Sequence, residues 1–382
     1  AIVAGNQSKP VHAQTEGVRI LSEDENAVEG LEPAATVYVA QKVITMEADQ
    51  PEATAVAVEG DRILAVGSLA EVTAALGKRP YTVDRTFETK AMMPGFVEHH
   101  VHPLLGVLTM VLEIIAIEDW NVPGKFSKAV QNQEEYVARL QEALTRTKGT
   151  DPNATLFTWG YHHYFHGKIY RPQLDEISPD RPIVTWHRSA HEFILNTAAL
   201  EKYGVTEAAL QGHGLASEQS SWEDGHFYEK GMEVIIPFIV KDLLVPERIQ
   251  AGLKIFKLYL LSKGITTICE PGTQMNRPIQ DFWEENLNAE DAVFRTYFIP
   301  DGRALYDKHK AESGKLVDIT RSYLEWGRGK VEWLPQQIKL FSDGAIFSQA
   351  MQVQAPYLDG HEGQWIAIPE DYTAAFKLYW DA

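Results

Sequence analysis

One run of the sequence, residues 92–103, constrains the fold more than any other, because it begins as an apolar strand and ends in a cluster of histidines. Strand side chains alternate between two faces, so we predict that Glu98, His100 and His102 share one face at a strand end. Two imidazoles on one face can bind one metal ion, and a nearby carboxylate can orient a ligand. The alternative is a run of surface histidines, and the residues alone leave both open.

The composition narrows the class of protein. The chain has 382 residues, of which 45% are hydrophobic and 23% are charged, the balance of a globular protein. Its formal net charge of −18 argues against nucleic acid or an anionic membrane surface as a partner. No apolar run reaches the roughly 18 residues that a membrane span needs. Cys269 is the only cysteine, so no internal disulfide can form, and we expect a buried, small apolar residue there.

The first ninety residues are predicted to be a lead followed by a small β unit. Residues 1–34 are polar and without a clear core pattern, which fits either a flexible lead or the trimmed N-terminus of an exported protein. The cellular location, cytoplasmic or exported, therefore stays open. Residues 35–90 contain short β-branched runs, with a hairpin signal at Gly60-Asp61 and helical spacing at 69–76.

The histidine run resembles a known signature. Pro94-Gly95-Phe96-Val97-Glu98, followed by His100 and His102, is similar to the first-strand motif of the amidohydrolase superfamily, with Glu98 where that motif has an aspartate. Other segments resemble the branch called amidohydrolase family 3, which includes N-substituted formamide deformylases. These segments follow one another in the order found in that branch: Trp159-Gly160-Tyr161, 178–184, His191, 196–200, 264–267 and 338–345.

The resemblance implies an α/β fold with a (β/α)8 TIM-type barrel. Residues 35–90 are expected to form half of a small β-sandwich domain, and residues 91–382 the first half of the barrel, with an insertion at about 104–255. Only four barrel strands are found. We therefore expect the other barrel half from residues outside this chain or from a companion polypeptide.

The expected strands follow from the same alignment. Strand one ends at the histidine run, and the insertion has a hairpin within 212–228. The remaining strands are expected at 265–270, 294–299 and 338–342 in the barrel and at 155–161 and 182–187 in the insertion.

Lys339 is the next residue that is expected to carry chemistry. A buried bare ammonium is costly, and the resemblance implies that Lys339 is carbamylated and bridges metal ions together with His100 and His102. Glu98 and Asp343 would then support the metal ligands. The alternative is a lysine that extends to the strand end or pairs with Asp343.

Three residues of the insertion are predicted to line the substrate pocket, namely Trp159, His163 and His191. Alternation, if the strand continues, puts His163 and Phe165 on one side and His162, Tyr164 and His166 on the other. Ordinary packing between insertion and barrel is the alternative for Trp159 and His163. His187 is a weaker second candidate beside His191.

The resemblance implies a metal-dependent hydrolase that cleaves a non-peptide carbon–nitrogen bond in a small molecule, such as an amide, formamide or cyclic amide. It would use one or two divalent ions, zinc first, with manganese or iron as alternatives. An ester or lactone hydrolase and a non-catalytic binding or regulatory protein stay open, as does a homo-oligomer.

Overall fold

The computed structural model describes residues 35–147, 151 and 153–382. The chain divides into two compact units between Val97 and Glu98. The predicted lead, residues 1–34, lies outside the described residues. The predicted half-sandwich and half-barrel domains stay predictions.

The first unit is a four-stranded sheet with one helix. Its elements are β1 (Ala35–Ile44), β2 (Glu52–Glu59), β3 (Arg62–Gly67), α1 (Leu69–Leu76) and β4 (Tyr81–Met92). The sheet order is β3-β2-β1-β4, with β1 antiparallel to β2 and parallel to β4. The hairpin predicted at Gly60-Asp61 is confirmed, because β2 and β3 pair in antiparallel fashion across it. The predicted helix 69–76 is confirmed, and Ser68 caps it by accepting the backbone N–H of Glu71.

Short strands alternate with helices through the rest of the chain. The strands are β5 (Phe96–Glu98), β6 (Glu113–Ile114), β7 (Trp120–Val122), β8 (Lys125–Ser127), β9 (Leu156–Tyr161), β10 (Ile183–His187), β11 (Glu192–Leu195), β12 (Ser220–Ser221), β13 (His226–Tyr228), β14 (Ile265–Thr273), β15 (Arg295–Pro300) and β16 (Val331–Trp333). The helices are α2 (Pro103–Thr109), α3 (Gln133–Arg146), α4 (His163–His166), α5 (Arg171–Ile177), α6 (Thr197–Tyr203), α7 (Leu215–Glu218), α8 (Lys230–Leu243), α9 (Pro246–Ser262), α10 (Arg277–Leu287), α11 (Gly302–His309), α12 (Leu316–Ser322) and α13 (Pro369–Trp380).

The predicted insertion contains a six-stranded sheet of order β12-β13-β11-β10-β9-β6. Strands β6, β9 and β10 run parallel, and β11 to β13 are antiparallel to their neighbours. Both predicted insertion strands are confirmed to within one residue, as β9 and β10. The predicted hairpin within 212–228 is confirmed as β12 and β13. All residues of β9 and β10 are buried, as expected for parallel strands covered on both faces.

A second sheet of order β16-β15-β14-β5 carries the predicted barrel strands. Strands β14, β15 and β16 are parallel. The strands predicted at 265–270 and 294–299 are confirmed as β14 and β15. One hydrophobic core joins this sheet to the six-stranded one, with Ile268 and Phe298 in the same cluster as Trp186.

The strand predicted at 338–342 is wrong. Strand β15 pairs instead with β16, seven residues earlier in the chain, and Lys339 makes only an isolated bridge to Asp301. Pro335 and Gln336, whose φ is 57°, separate β16 from residues 338–342, because proline has no N–H to donate and a positive φ leaves the strand conformation.

The fold is α/β, as predicted. The described strands do not close into a barrel, so the TIM-type barrel stays a prediction. Among the described helices, none is both long and apolar enough to cross a membrane.

Candidate functional site

The two histidines of the predicted metal site lie beyond the end of a strand, not on it. Strand β5 ends at Glu98, and His102 is the residue before the first turn of α2, which begins at Pro103. The prediction that Glu98, His100 and His102 share one strand face is therefore wrong. The segment still brings the two rings together, with centroids 5.4 Å apart and planes at 86°. The N–H of Val101 donates to the carbonyl of Cys269 (3.0 Å), which fixes this segment beside β14.

Glu270 stands behind His102. One of its carboxylate oxygens lies 2.6 Å from Nδ1 of His102, and the residue is 8% exposed. Burial raises the pKa of Glu270, although the hydrogen bond from His102 opposes the shift. A carboxylate that receives Nδ1–H of a histidine leaves Nε2 as the free nitrogen and fixes the ring for metal binding.

The role of Glu270 as the partner of His102 was not predicted from the sequence. The available signal was its position at the carboxyl end of the predicted second strand, directly after Cys269, where sites collect in parallel sheets. Cys269 itself is buried, as predicted.

Lys339 lies at the ends of β14 and β15. Its backbone N–H donates to the carbonyl of Pro300 (3.0 Å), and a Cβ added at Gly272 would meet its Cγ at 2.9 Å. The side chain is half-buried, and its Nζ lies 4.9 Å from the centre of the Phe341 ring. The charge of Lys339 also contributes to lowering the pKa of His100.

The two predicted supporting carboxylates form hydrogen bonds with nearby residues of their own segments. Glu98 accepts the backbone N–H of His100 (3.1 Å). Asp343 accepts the hydroxyl of Ser342 (2.6 Å) and the N–H of Gln352 (2.8 Å). Both carboxylates therefore position chain segments near the predicted ligands.

The donor set of His100, His102 and Lys339 fits a divalent metal ion. Burial, followed by the charges of His102 and Lys339, lowers the pKa of His100, so its imidazole is neutral near pH 7. Neutral imidazole is the form that binds a metal, and the buried carboxylate of Glu270 orients its neighbour His102. The assignment of His100, His102 and Lys339 as ligands stays a prediction.

The predicted pocket residues of the insertion lie in different surroundings. Trp159 is 7% exposed and packs edge-on against Trp120 and Trp186 in the core, so the alternative of ordinary packing describes it better than a pocket wall. Its side chain does not reach an open surface.

His191 retains access to solvent and has a fixed orientation. Its Nδ1 lies 2.7 Å from Glu229, whose side chain is buried and also accepts the N–H of Ala345 (3.1 Å). Burial acts to lower the pKa of His191, but the hydrogen bond to Glu229 and its charge outweigh burial and raise that pKa. His191 can therefore offer a positive charge or a proton at its exposed edge.

A group of histidines lies at the carboxyl ends of β9 and β10. Within the described part of the chain, one set of three His, Cys, Asp or Glu side chains has a ligand atom from each within 4.8 Å of the others: His162, His163 and His187. We call this set the histidine triad. His162 and His187 are buried and His163 is half-buried. Burial lowers the pKa of all three, to about 4 for His162 and about 3 for His187.

The alternation predicted for residues 162–166 is wrong. Strand β9 ends at Tyr161, and residues His163–His166 form the short helix α4, in which the N–H of Tyr164 donates to Nδ1 of His162. His163 therefore turns towards His187, whose ring centre lies 5.6 Å away. His163 and His187 were predicted separately as pocket candidates, and the contact between their rings was not predicted from the sequence.

Comparison with known proteins identifies the family. A model of the amidohydrolase family matches residues 88–377, and one of an imidazolonepropionase-like composite domain from bacteria matches residues 55–76. The chain is 26% identical to protein LONG AFTER FAR-RED 3 of Arabidopsis thaliana, over 83% of this chain and 52% of that protein. It is 27% identical to the N-substituted formamide deformylase of Arthrobacter pascens, over 43% of this chain and 28% of that protein.

A solved structure shares the fold. A metal-dependent hydrolase from Pyrococcus horikoshii aligns with 91% of this chain and 63% of its own, with a TM-score of 0.58 and 16% identity. The chain spans about half the length of the first curated relative that it matches. Because the family model covers most of the sequence, from the strand before the histidine pair to the final helix, the chain belongs to the amidohydrolase family.

Proposed function

We propose that this chain carries part of the active site of a metal-dependent hydrolase that cleaves a non-peptide carbon–nitrogen bond. The observation that supports it is the pair His100 and His102 with the buried Glu270 behind one ring. Such an arrangement is typical of a metal ligand with its orienting carboxylate. The amide, formamide or cyclic amide substrate class rests on family membership and on the similarity to a formamide deformylase.

The metal would be held by His100, His102 and a carbamate on Lys339. A bound divalent ion, zinc in our proposal, supplies a water of lowered pKa and polarises the substrate carbonyl. The amine of Lys339 would form the carbamate by adding to carbon dioxide and losing a proton, which turns a cation into an anionic oxygen ligand. Among the described residues Lys339 forms no ion pair with Asp343, whose carboxylate bonds to Ser342 and Gln352 instead, so that pairing does not oppose this reaction.

The other residues of the site bind, orient and move protons. Glu270 accepts Nδ1–H of His102, which would leave Nε2 free to bind the metal. His191, held by Glu229, is proposed to line the substrate pocket, where its raised pKa suits it to hydrogen-bond an electronegative substrate atom. We propose His163 for a different role below.

A substrate panel tests this proposal. The purified protein is offered matched amides, formamides, lactams and esters, before and after chelation, and after addition of zinc or manganese. We expect turnover of a carbon–nitrogen substrate that chelation removes and metal restores. Preference for the matched ester or lactone would select the other hydrolase class. Ligand binding without turnover of any of them would contradict a hydrolase and favour a binding protein.

A further inference from the structure

The structure assigns a second metal site to this chain: His162, His163 and His187 form a three-histidine centre for a divalent ion that prefers nitrogen ligands, with zinc as its natural occupant. The site lies in the six-stranded sheet of the insertion. It does not depend on the hydrolase proposal, because it uses none of the residues named for that reaction.

The spacing of the three rings fits one ion. Their centroids are 5.4, 5.3 and 5.6 Å apart for the pairs 162–163, 162–187 and 163–187. Three imidazoles that point a nitrogen at a tetrahedral zinc, with zinc–nitrogen bonds of about 2.1 Å, have centroids about 5.3 Å apart. The nitrogens, within 4.8 Å of one another, need to close to about 3.4 Å for that geometry. Because His163 is half-buried on a short helix, it has the freedom to make this adjustment.

One ligand atom has no partner. His187 is fully buried, and its Nε2 forms no hydrogen bond with any residue that the structure describes. A buried polar atom without a partner loses the hydrogen bonds that it would make to water and so destabilises the fold. A metal ion bound to Nε2 would satisfy this atom, which makes the unpaired nitrogen an independent indication of a missing ligand.

A carboxylate supports the buried ligand from behind. Oε1 of Glu192 lies 3.2 Å from Nδ1 of His187, and its other oxygen accepts a hydrogen bond from His226 at 2.7 Å. Oε1 has no hydrogen-bond partner of good geometry. The amide of Ser189 also faces Nδ1 (3.1 Å) and favours a proton on Nε2 instead. Metal binding at Nε2 would put the proton on Nδ1, where Glu192 and the Ser189 hydroxyl (2.9 Å) can accept it.

The backbone is shaped to bring these ligands together. Strands β9 and β10 are parallel neighbours, so their carboxyl ends carry His162 and His187 at the same sheet edge. Trp186 pairs with Trp159 but His187 pairs with Tyr161, so Gly160 is an extra residue that forms a bulge, with φ of 105°. Bulges re-aim the side chains that follow them and are common next to sites.

The triad is separate from the predicted hydrolase centre. Among the described residues, no hydrogen bond, ion pair or ring contact joins it to the pair of His100 and His102, whose polar partners are Glu98 and Glu270. The partners of the triad are instead Ser189, Glu192 and the backbone of α4. Loss of one site should therefore leave the other intact.

Cobalt titration tests the proposal. The metal-free protein is titrated with Co²⁺, and then with Zn²⁺ in competition, while the visible absorption of four-coordinate cobalt and the melting temperature are recorded. We expect the His100→Ala/His102→Ala double variant to keep about one equivalent of nitrogen-bound cobalt and a metal-dependent rise in melting temperature. Adding His163→Ala to that variant should remove both signals.

Two further variants keep the result interpretable. His213→Ala changes an exposed histidine of the same insertion and should bind cobalt as the wild type does. His187→Gln removes the buried ligand with little change in volume, which covers the case in which an alanine variant misfolds. The proposal is overturned if the His100→Ala/His102→Ala double variant binds no cobalt, or if adding His163→Ala or His187→Gln to that double variant leaves its cobalt binding unchanged.

Discussion

The two histidine groups of this chain occupy equivalent places in two sheets but differ in their surroundings. The pair His100 and His102 follows β5, and the histidine triad follows β9 and β10. His100 is exposed, whereas His187 is fully buried. An open site leaves positions for water and substrate, whereas a site closed by protein suits a structural ion. On this difference in burial we propose turnover at the pair and a stabilising ion at the triad, whose three histidines leave one coordination position for water.

The supporting carboxylates differ in the same way. Burial raises the pKa of Glu270, which has His102 as its one histidine partner. Glu192 is also buried, but the hydrogen bond from His226 and the charges of His187 and His226 outweigh burial and lower its pKa to about 2. A carboxylate between two imidazoles is thus held charged in the fold.

Substitutions of the proposed metal ligands should distinguish the two histidine groups most clearly. His102→Ala should reduce hydrolysis to background, because it removes a metal ligand and leaves Glu270 without its partner. His163→Ala should leave hydrolysis of the same substrate within about threefold of wild type, since the triad takes no part in the reaction. Steady-state rates at saturating metal measure both. Equal losses in the two variants would show that the groups act as one site.

Substitution of Lys339 should have the next largest effect on hydrolytic activity. Lys339→Ala should lose most of its activity, and a short carboxylic acid should restore part of it by replacing the carbamate oxygens. Lys377→Ala, which changes an exposed lysine of α13, should show neither the loss nor the rescue. Full activity and full metal content in Lys339→Ala would remove this residue from the site.

Exchanging the carboxylates one at a time sharpens the comparison. Glu270→Gln should weaken metal binding at the pair by about 10–100-fold, because the amide no longer fixes the His102 ring as a carboxylate does. Glu192→Gln should weaken cobalt binding at the triad and leave the pair unchanged. Metal titrations of both variants measure this, and a Glu270→Gln effect confined to the triad signal would contradict the assignment.

Gly160 tests how the backbone builds the triad. A Cβ added there would meet Cβ of Ala116 at 2.6 Å, at a φ of 105°. Gly160→Ala should therefore lower the free energy of unfolding by about 2–4 kcal/mol. Gly212 has φ of 78° but open space around its Cβ position, so Gly212→Ala should cost only about 1 kcal/mol. Urea unfolding measures both, and equal costs would show that the contact with Ala116 does not matter.

The strands and helices that were predicted correctly are those encoded by a short, continuous stretch of sequence. The buried strands β9, β10, β14 and β15 were located to within one residue at their starts because each is a short apolar run between turn residues. The helix at 69–76 was located by its spacing. The family was identified from motifs, and the family model confirms it.

What the sequence did not predict depends on tertiary neighbours or on where strands stop. The strand expected at 338–342 did not form because, within this run, only Lys339 bridges to a neighbouring segment, at Asp301. The shared face of Glu98, His100 and His102 failed because the strand ends at Glu98. The triad needs residues 162 and 187 to lie on neighbouring strands with a bulge at Gly160, and no local pattern contains that pairing.

A third histidine–carboxylate pair, His191 and Glu229, gives the smallest and most specific prediction. The pKa of His191 is raised in the folded protein above its ordinary value of 6.5. Its stabilising contribution is therefore complete below about pH 6.5 and is lost as the pH rises through the folded value. Glu229→Gln should keep the acceptor for Ala345 and remove the charge. The difference in unfolding free energy between wild type and Glu229→Gln should then be largest at about pH 6 and should shrink by pH 9. Urea unfolding across this range measures it, and a difference that is constant with pH would show that His191 does not titrate against Glu229.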